Sequence, residues 1–208
     1  MDIVFIHDVD FWTTQDRDVL ETRFRQAMDG AHKALVELRE AGTIKAFGVG
    51  LNEADTSARF VRAGDFDCVL LAGRYTLLEQ GALEDFLPLC EQKRVGVIIG
   101  GPLNSGILAT GATDAARYNY IPAPAEVRAR VARIAAVCAR HNVELPAAAL
   151  QFPLGHPAVT AIIPGAMNSG EVNGNVALFR KPLPPALWAD LRAEGLLDPA
   201  APVPRPNA

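Results

Sequence analysis

Cysteine is scarce. The three present, Cys68, Cys90 and Cys138, are odd in number, widely spaced and set among apolar residues. That pattern argues against a disulfide framework or a cysteine metal centre and predicts reduced thiols in a core. An excess of positive charge is also missing: 20 Lys and Arg stand against 24 Asp and Glu, a net charge of -4. Without a basic footprint, nucleic acid is not an expected partner. No apolar run approaches the roughly 18 residues that a bilayer-spanning helix needs, so a membrane role is not expected either. No leader pattern is visible at the start, which makes a cytoplasmic address the expectation. Histidine occurs four times, and His32, His141 and His156 lack metal-ligand spacing, so all three are expected to be structural and no metal site is predicted.

What is present describes an ordinary globular chain: 208 residues, 50% hydrophobic and 21% charged. Short apolar runs alternate with helical patterns. Ile3-Val4-Phe5-Ile6 reads as a strand buried on both faces, with His7 and Asp8 at its exit. Ala27, Ala31, Ala34, Leu35 and Leu38 recur at helical spacing, and Gly42 stands where a C-terminal cap belongs. Further strands are predicted over residues 44 to 50, 67 to 72, 95 to 99 and 159 to 163. Helices are predicted over 53 to 63, 83 to 93 and 125 to 141, from 146, and over 173 to 179 and 184 to 194. Residues 1 to 198 are expected to form one domain and the Pro-rich residues 199 to 208 a loosely held tail.

Five buried strands separated by helices mean a parallel α/β fold, either an open doubly wound sheet or part of a (β/α)8 barrel. No Gly-x-Gly-x-x-Gly follows the first strand, which weakens the doubly wound nucleotide-binding alternative. Ligands of parallel sheets gather at the carboxyl ends of the strands, and His7 lies at such an end. By itself a histidine there is more often structural than catalytic.

Ordered strand-end motifs then carry a resemblance over essentially the whole chain. Ile3-Val4-Phe5-Ile6-His7-Asp8, Gly42-Thr43-Ile44-Lys45-Ala46-Phe47-Gly48-Val49-Gly50-Leu51-Asn52 and Ile163-Pro164-Gly165-Ala166 resemble the fourth, fifth and eighth barrel strands of the aldo-keto reductases. Two narrower segments, residues 70 to 80 and 98 to 108, are similar to the branch of D-threo-aldose 1-dehydrogenases, which includes L-fucose and L-galactose dehydrogenases. Ala72 stands where many of the family carry glutamine, and Gly100 where many carry an aromatic that stacks on the nicotinamide; the sugar-dehydrogenase branch shares both departures. The resemblance implies a partial (β/α)8 barrel, approximately strands 4 to 8 with their helices, expected to be N-terminally truncated.

The implied activity is NAD(P)-dependent oxidation of an aldose C1 hydroxyl to the lactone, or carbonyl reduction. His7 matches the family's histidine that hydrogen-bonds the reacting oxygen. The tyrosine, lysine and aspartate that handle the proton have no counterparts in this sequence, so the chain alone is expected to be a weak or inactive catalyst. Asn52 matches the residue that bonds the nicotinamide carboxamide, and its plain alternative is a turn residue. Asn104, Ser105 and Gly106 follow the seventh strand where backbone amides can approach a pyrophosphate. Gly165 and Glu171 occupy places where NADP-preferring relatives put cations. With no cation in that segment, NAD is expected in preference to NADP, unless Glu171 is simply a first-turn acid. Asn175 matches an asparagine used on the adenine. Trp12, Tyr118 and Asn119 lie on loops suited to a sugar, or could pin those loops. Open barrel edges predict self-association. Two alternatives stay open, a non-catalytic dinucleotide-binding half-barrel and a pyridoxal 4-dehydrogenase-like enzyme.

Overall fold

The structure is a computed structural model and describes residues 1–205. In chain order, β1 (Ile3–His7) leads through a single turn, α1 (Phe11–Thr14), into α2 (Arg17–Gln26). A π-helical segment (Ala27–His32) joins α2 to α3 (Lys33–Glu40). Then come β2 (Ala46–Leu51), α4 (Ala54–Ala63), β3 (Cys68–Ala72), α5 (Phe86–Lys93) and β4 (Gly96–Gly100). After the short α6 (Ile107–Thr110), β5 (Arg117–Tyr118) and β6 (Ile121–Pro122) form a small antiparallel hairpin. The chain closes with α7 (Ala125–Arg140), α8 (Leu145–Gln151), β7 (Val159–Ile163), α9 (Ser169–Phe179) and α10 (Pro185–Ala193).

The five long strands pair in parallel in the order β1-β2-β3-β4-β7, so β1 and β7 are the edges of the sheet. The order never reverses. Crossovers of one hand that always advance in one direction lay their helices on a single face of the sheet, unlike a doubly wound fold, in which the order turns back on itself. The open doubly wound alternative is therefore not what the strands form.

Strand alternation makes the two faces different. Phe47, Val49, Leu51, Val69, Leu71, Val97 and Ile99 point into the helix layer and are 0–2% exposed. Each such side chain contributes roughly 1.5–3 kcal/mol on burial, so this face holds the sheet to its helices. On the opposite face Leu70, Ala72, Ile98 and Gly100 are only partly covered. The register aligns His7 with Gly50, Leu51 with Leu71, Ala72 with Gly100 and Gly100 with Ile163, which brings the carboxyl ends to one rim.

Several details depart from the sequence expectations. The helix expected around Ala27 to Leu38 starts earlier, as α2 from Arg17, because the Asp16 carboxylate accepts from the amides of Asp18 and Val19 and caps it. α9 begins at Ser169 because Asn168 caps it, four residues before the apolar pattern becomes visible. Residues 199 to 203 are not loosely held: Ala201 is fully buried, and Arg192 Nη2 donates to its carbonyl at 2.6 Å. A Cβ on Gly155 would fall 2.6 Å from the Pro202 carbonyl oxygen, so the missing side chain is what lets this segment pack. Residues 206 to 208 of the predicted tail lie outside the described residues.

The thiols behave as expected. Burial pushes Cys68 and Cys138 up to about 11 and Cys90 up to about 12, which leaves them inert at neutral pH. The three other histidines have structural settings. His32 packs edge-on against Phe47 and Phe66, and its desolvation lowers the ring's pKa; His141 Nε2 sits 2.8 Å from Asp190 on α10. His156 is buried with its pKa lowered by desolvation, and its Nδ1 accepts from the Ala158 amide at 3.2 Å.

Candidate functional site

At the rim, His7 ends β1 with a half-exposed ring, and its Nδ1 lies 3.0 Å from Asp8 Oδ1. The ring lies across Gly50 on the neighbouring strand. A Cβ there would come within 2.6 Å of His7 Cδ2, so glycine at this register position is what admits the imidazole. Asp8 itself takes a left-handed backbone (φ 57°), which turns its carboxylate back toward the rim.

The loop after β1 is tied to the loop after β2 by two reciprocal acids. Asp10, fully buried, accepts through Oδ2 from the Asn52 amide (2.6 Å) and from Asn52 Nδ2 (3.0 Å), and through Oδ1 from the Thr13 amide (2.9 Å). Glu53 returns the exchange: its Oε2 accepts from the Phe11 amide at 2.9 Å and from Thr56 Oγ1 at 2.8 Å. A buried carboxylate needs such donors to offset its desolvation. Asn52 Nδ2 also reaches Asp8 Oδ1 at 3.5 Å. His7, Asp8, Asn52 and Asp10 thus form one continuous polar chain.

Arg74, just beyond β3, gathers further residues around this chain. Its Nε donates to the Asn52 carbonyl at 2.9 Å, its Nη1 donates to Asn119 Oδ1 at 3.2 Å, and its guanidinium stands 5.4 Å from the centre of the Trp12 ring. Tyr118 donates its hydroxyl to Glu79, and burial together with that carboxylate pushes the phenol up to about 12. Of the predicted substrate residues, Trp12 and Asn119 therefore meet at Arg74, while Tyr118 is bound to Glu79.

A groove of about 870 Å³ runs on from the rim between the loop after β4, the β5–β6 hairpin and α9. Its volume falls in the range of small-molecule sites. It brings together Asn104, Ser105, Gly106, Gly165, Glu171 and Asn175, six of the seven residues expected to hold a cofactor; Asn52, the seventh, belongs to the polar chain described above. Gly101, Asn104, Ser105 and Gly106 all have positive φ, from 45° to 92°, a local geometry in which successive amides can face one anion. The Asn104 side chain is buried instead of facing the groove. It donates to the Gly73 carbonyl at 3.1 Å and accepts from Thr76 Oγ1 at 2.6 Å. It pins two rim loops together and leaves its backbone to the groove. Ser105 Oγ accepts from the Tyr120 amide at 3.1 Å and holds the hairpin in place.

Glu171 takes part in the cap at the start of α9. Asn168 Oδ1 accepts from the Glu171 amide at 3.0 Å, and Glu171 Oε2 accepts from the Met167 amide at 2.8 Å. α9 has two working faces. Glu171, Gly174 and Leu178 line the groove, Val172, Val176 and Phe179 line an apolar hollow of about 440 Å³ against α8 and β7, and Asn175 borders both.

Among the polar residues of the site that escaped the sequence reading are Asp10, Arg74 and Arg117. Arg117 lines the groove with Glu171 and donates through Nη1 to the Tyr120 carbonyl at 3.0 Å. The segment around Glu171 holds no cation, but the groove does. The available signal was the Asn119-Tyr120 pair, whose φ angles of 51° and 66° make the tight hairpin turn that carries Arg117 to the groove.

The model of the aldo/keto reductase family matches residues 1–194. The chain belongs to the aldo-keto reductase family. It is similar to a pyridoxal 4-dehydrogenase of Microbacterium luteolum, 40% identical over 95% of this chain and 57% of that protein. It is also similar to a D-threo-aldose 1-dehydrogenase of a Pseudomonas species, 37% identical over the same shares of 95% and 57%. Among solved structures, the aldo-keto reductase AKR11C1 from Bacillus halodurans superposes with a TM-score of 0.69 over 97% of this chain and 63% of that one, at 18% identity, a likeness of fold. This family member spans 57% of the length of the two curated relatives named.

Proposed function

We propose that the chain binds a nicotinamide dinucleotide along the carboxyl rim of its sheet, NAD in preference to NADP, and serves the dehydrogenation of a cyclic hemiacetal hydroxyl or the reverse reduction. The observation that carries this reading is that two separately predicted groups fall on one continuous rim. His7 and Asn52 share Asp8, and the remaining cofactor residues line the adjoining groove. The five parallel strands are read as the sector of a (β/α)8 barrel from its fourth to its eighth strand.

The residues present fit such a cofactor. The positive-φ loop at residues 104 to 106 offers amides for a pyrophosphate, and Arg117 adds a cation beside it. Asn175, on the wall between the groove and the apolar hollow, is read as the residue for the adenine end. Glu171 has its carboxylate on the groove wall, where it repels a 2'-phosphate. When bound, the nicotinamide supplies the hydride acceptor or donor.

The chain's own contribution to the chemistry centres on His7. With Nδ1 held by Asp8, the ring presents Nε2 to the open face, as an acceptor when neutral and as a donor when protonated. A donor there stabilises charge on a reacting oxygen. Trp12, stacked near Arg74, and Asn119 form a rim of aromatic face and amide edge that suits a ring bearing hydroxyls. Similarity to a D-threo-aldose and to a pyridoxal dehydrogenase supports the same class, an aldehyde carbon carried as a ring hemiacetal. Tyr75 is buried in the core, Tyr118 is bound to Glu79, and Tyr120 is exposed on the hairpin turn at the groove, apart from the polar chain at His7; with no tyrosine in that chain to pass a proton, the chain assayed by itself is expected to turn over weakly. Calorimetric titration of the purified chain tests the binding. Saturable NAD binding, tighter than NADP, is expected; tighter NADP binding, or none of either, contradicts the reading.

A further inference from the structure

Asp10 does more than tie two loops. A carboxylate can only accept, so the group that Asn52 turns toward Asp10 Oδ2 at 3.0 Å must be its NH2. The second amide proton faces Asp8 Oδ1 at 3.5 Å, and the Asn52 main-chain amide is held by the same Asp10 oxygen at 2.6 Å. Both donor directions of the side chain are thereby taken up within the protein. What remains for a ligand is the carbonyl oxygen, an acceptor. An unconstrained asparagine can turn either end of its amide to a partner and so reads donors and acceptors alike. This one cannot turn without setting its oxygen against a buried carboxylate.

We propose that Asp10 is a positioning residue which fixes the Asn52 amide in one orientation, so that Asn52 recognises a ligand only through an NH2 donor, the carboxamide nitrogen of the nicotinamide ring. The proposal rests on the reading that the rim holds a nicotinamide dinucleotide. Neither partner is a catalytic residue; Asp10 acts through Asn52 alone.

The test compares NAD with 3-acetylpyridine adenine dinucleotide, in which a methyl group replaces the carboxamide NH2 and the ring carbonyl is kept. The wild-type chain is expected to bind NAD about 5- to 30-fold more tightly than the analogue, the value of one hydrogen bond whose acceptor is otherwise left unpaired. In Asp10→Asn the lock is gone, Asn52 can turn its NH2 to the carbonyl shared by both compounds, and the ratio should fall to within about twofold of unity. Asn52→Ala should abolish the ratio as well, and the double variant should lower it no further. A purely structural Asp10 would weaken both compounds in parallel, and an unchanged ratio in folded Asp10→Asn overturns the proposal.

Should Asp10→Asn fail to fold, the side-chain NH2 resonances of Asn52 in the wild-type chain, assigned by their loss in Asn52→Ala, decide the matter without any nucleotide. Slow rotation and protection from solvent exchange are expected, and exchange at the rate of a free amide overturns the proposal. Absence of binding by either dinucleotide to the wild-type chain overturns the cofactor reading instead, and with it the ligand assigned to Asn52.

Discussion

The two faces of the sheet are made by the same strands, yet their side chains follow opposite rules. Toward the helices stand Phe47, Val49, Leu51, Val69, Leu71, Val97 and Ile99, bulky and almost without exposure. Toward the open side the same strands carry Gly48, Gly50, Ala72, Gly96 and Gly100 beside the partly covered Leu70 and Ile98. The glycines there admit close neighbours: a Cβ on Gly48 would collide with the Cys68 carbonyl, and one on Gly50 with the ring of His7. Cohesion is therefore concentrated on one face, while the carboxyl rim of the other is free to hold polar groups whose geometry is set by hydrogen bonds.

The largest effect should come from the covered face. Leu71→Ala is expected to cost about 2–5 kcal/mol, read as a fall in the urea midpoint at unchanged slope, because a fully buried side chain leaves a cavity. Ile98→Ala, one strand over on the partly covered face, should cost clearly less. Equal losses would break the distinction between the faces.

Much of the architecture was legible because it depends on local pattern. The apolar runs at residues 3 to 6 and 159 to 163 are strands, and Gly42 ends its helix with a φ of 70°. His7, Asn52 and the groove residues were visible as strand-end motifs, since parallel register carries such positions to one rim. Asp10 and Arg74 were not. Their roles come from partners 42 and 45 residues away, Asn52 and Asn119, and no local pattern encodes those pairings. The π-helical segment at Ala27–His32 was hidden for a related reason, because an extra residue in a helical turn shifts the stripe without changing its composition. Asn104 was read for its backbone amide at the groove, and the second role of its side chain, a buried pin between rim loops, was not legible.

A smaller effect separates charge from capping on α9. Glu171→Gln keeps an acceptor for the Met167 amide and removes the negative charge from the groove wall. NADP binding should tighten by about three- to tenfold, the scale of an exposed charge pair, while NAD changes by less than about twofold. Parallel changes in both would reduce Glu171 to a helix cap.

The central claim is that the polar chain at His7 and Asn52 and the groove along α9 form one dinucleotide site. Titration of the 15N-labelled chain followed by amide NMR shifts tests it most directly. NAD is predicted to move the amides of Asn52 and of residues 104 to 106 and 165 to 175 with a single saturation curve, whereas ADP-ribose, which lacks the nicotinamide, moves only the groove set. Shifts confined to the groove with NAD itself, or two curves with separate midpoints, would contradict it.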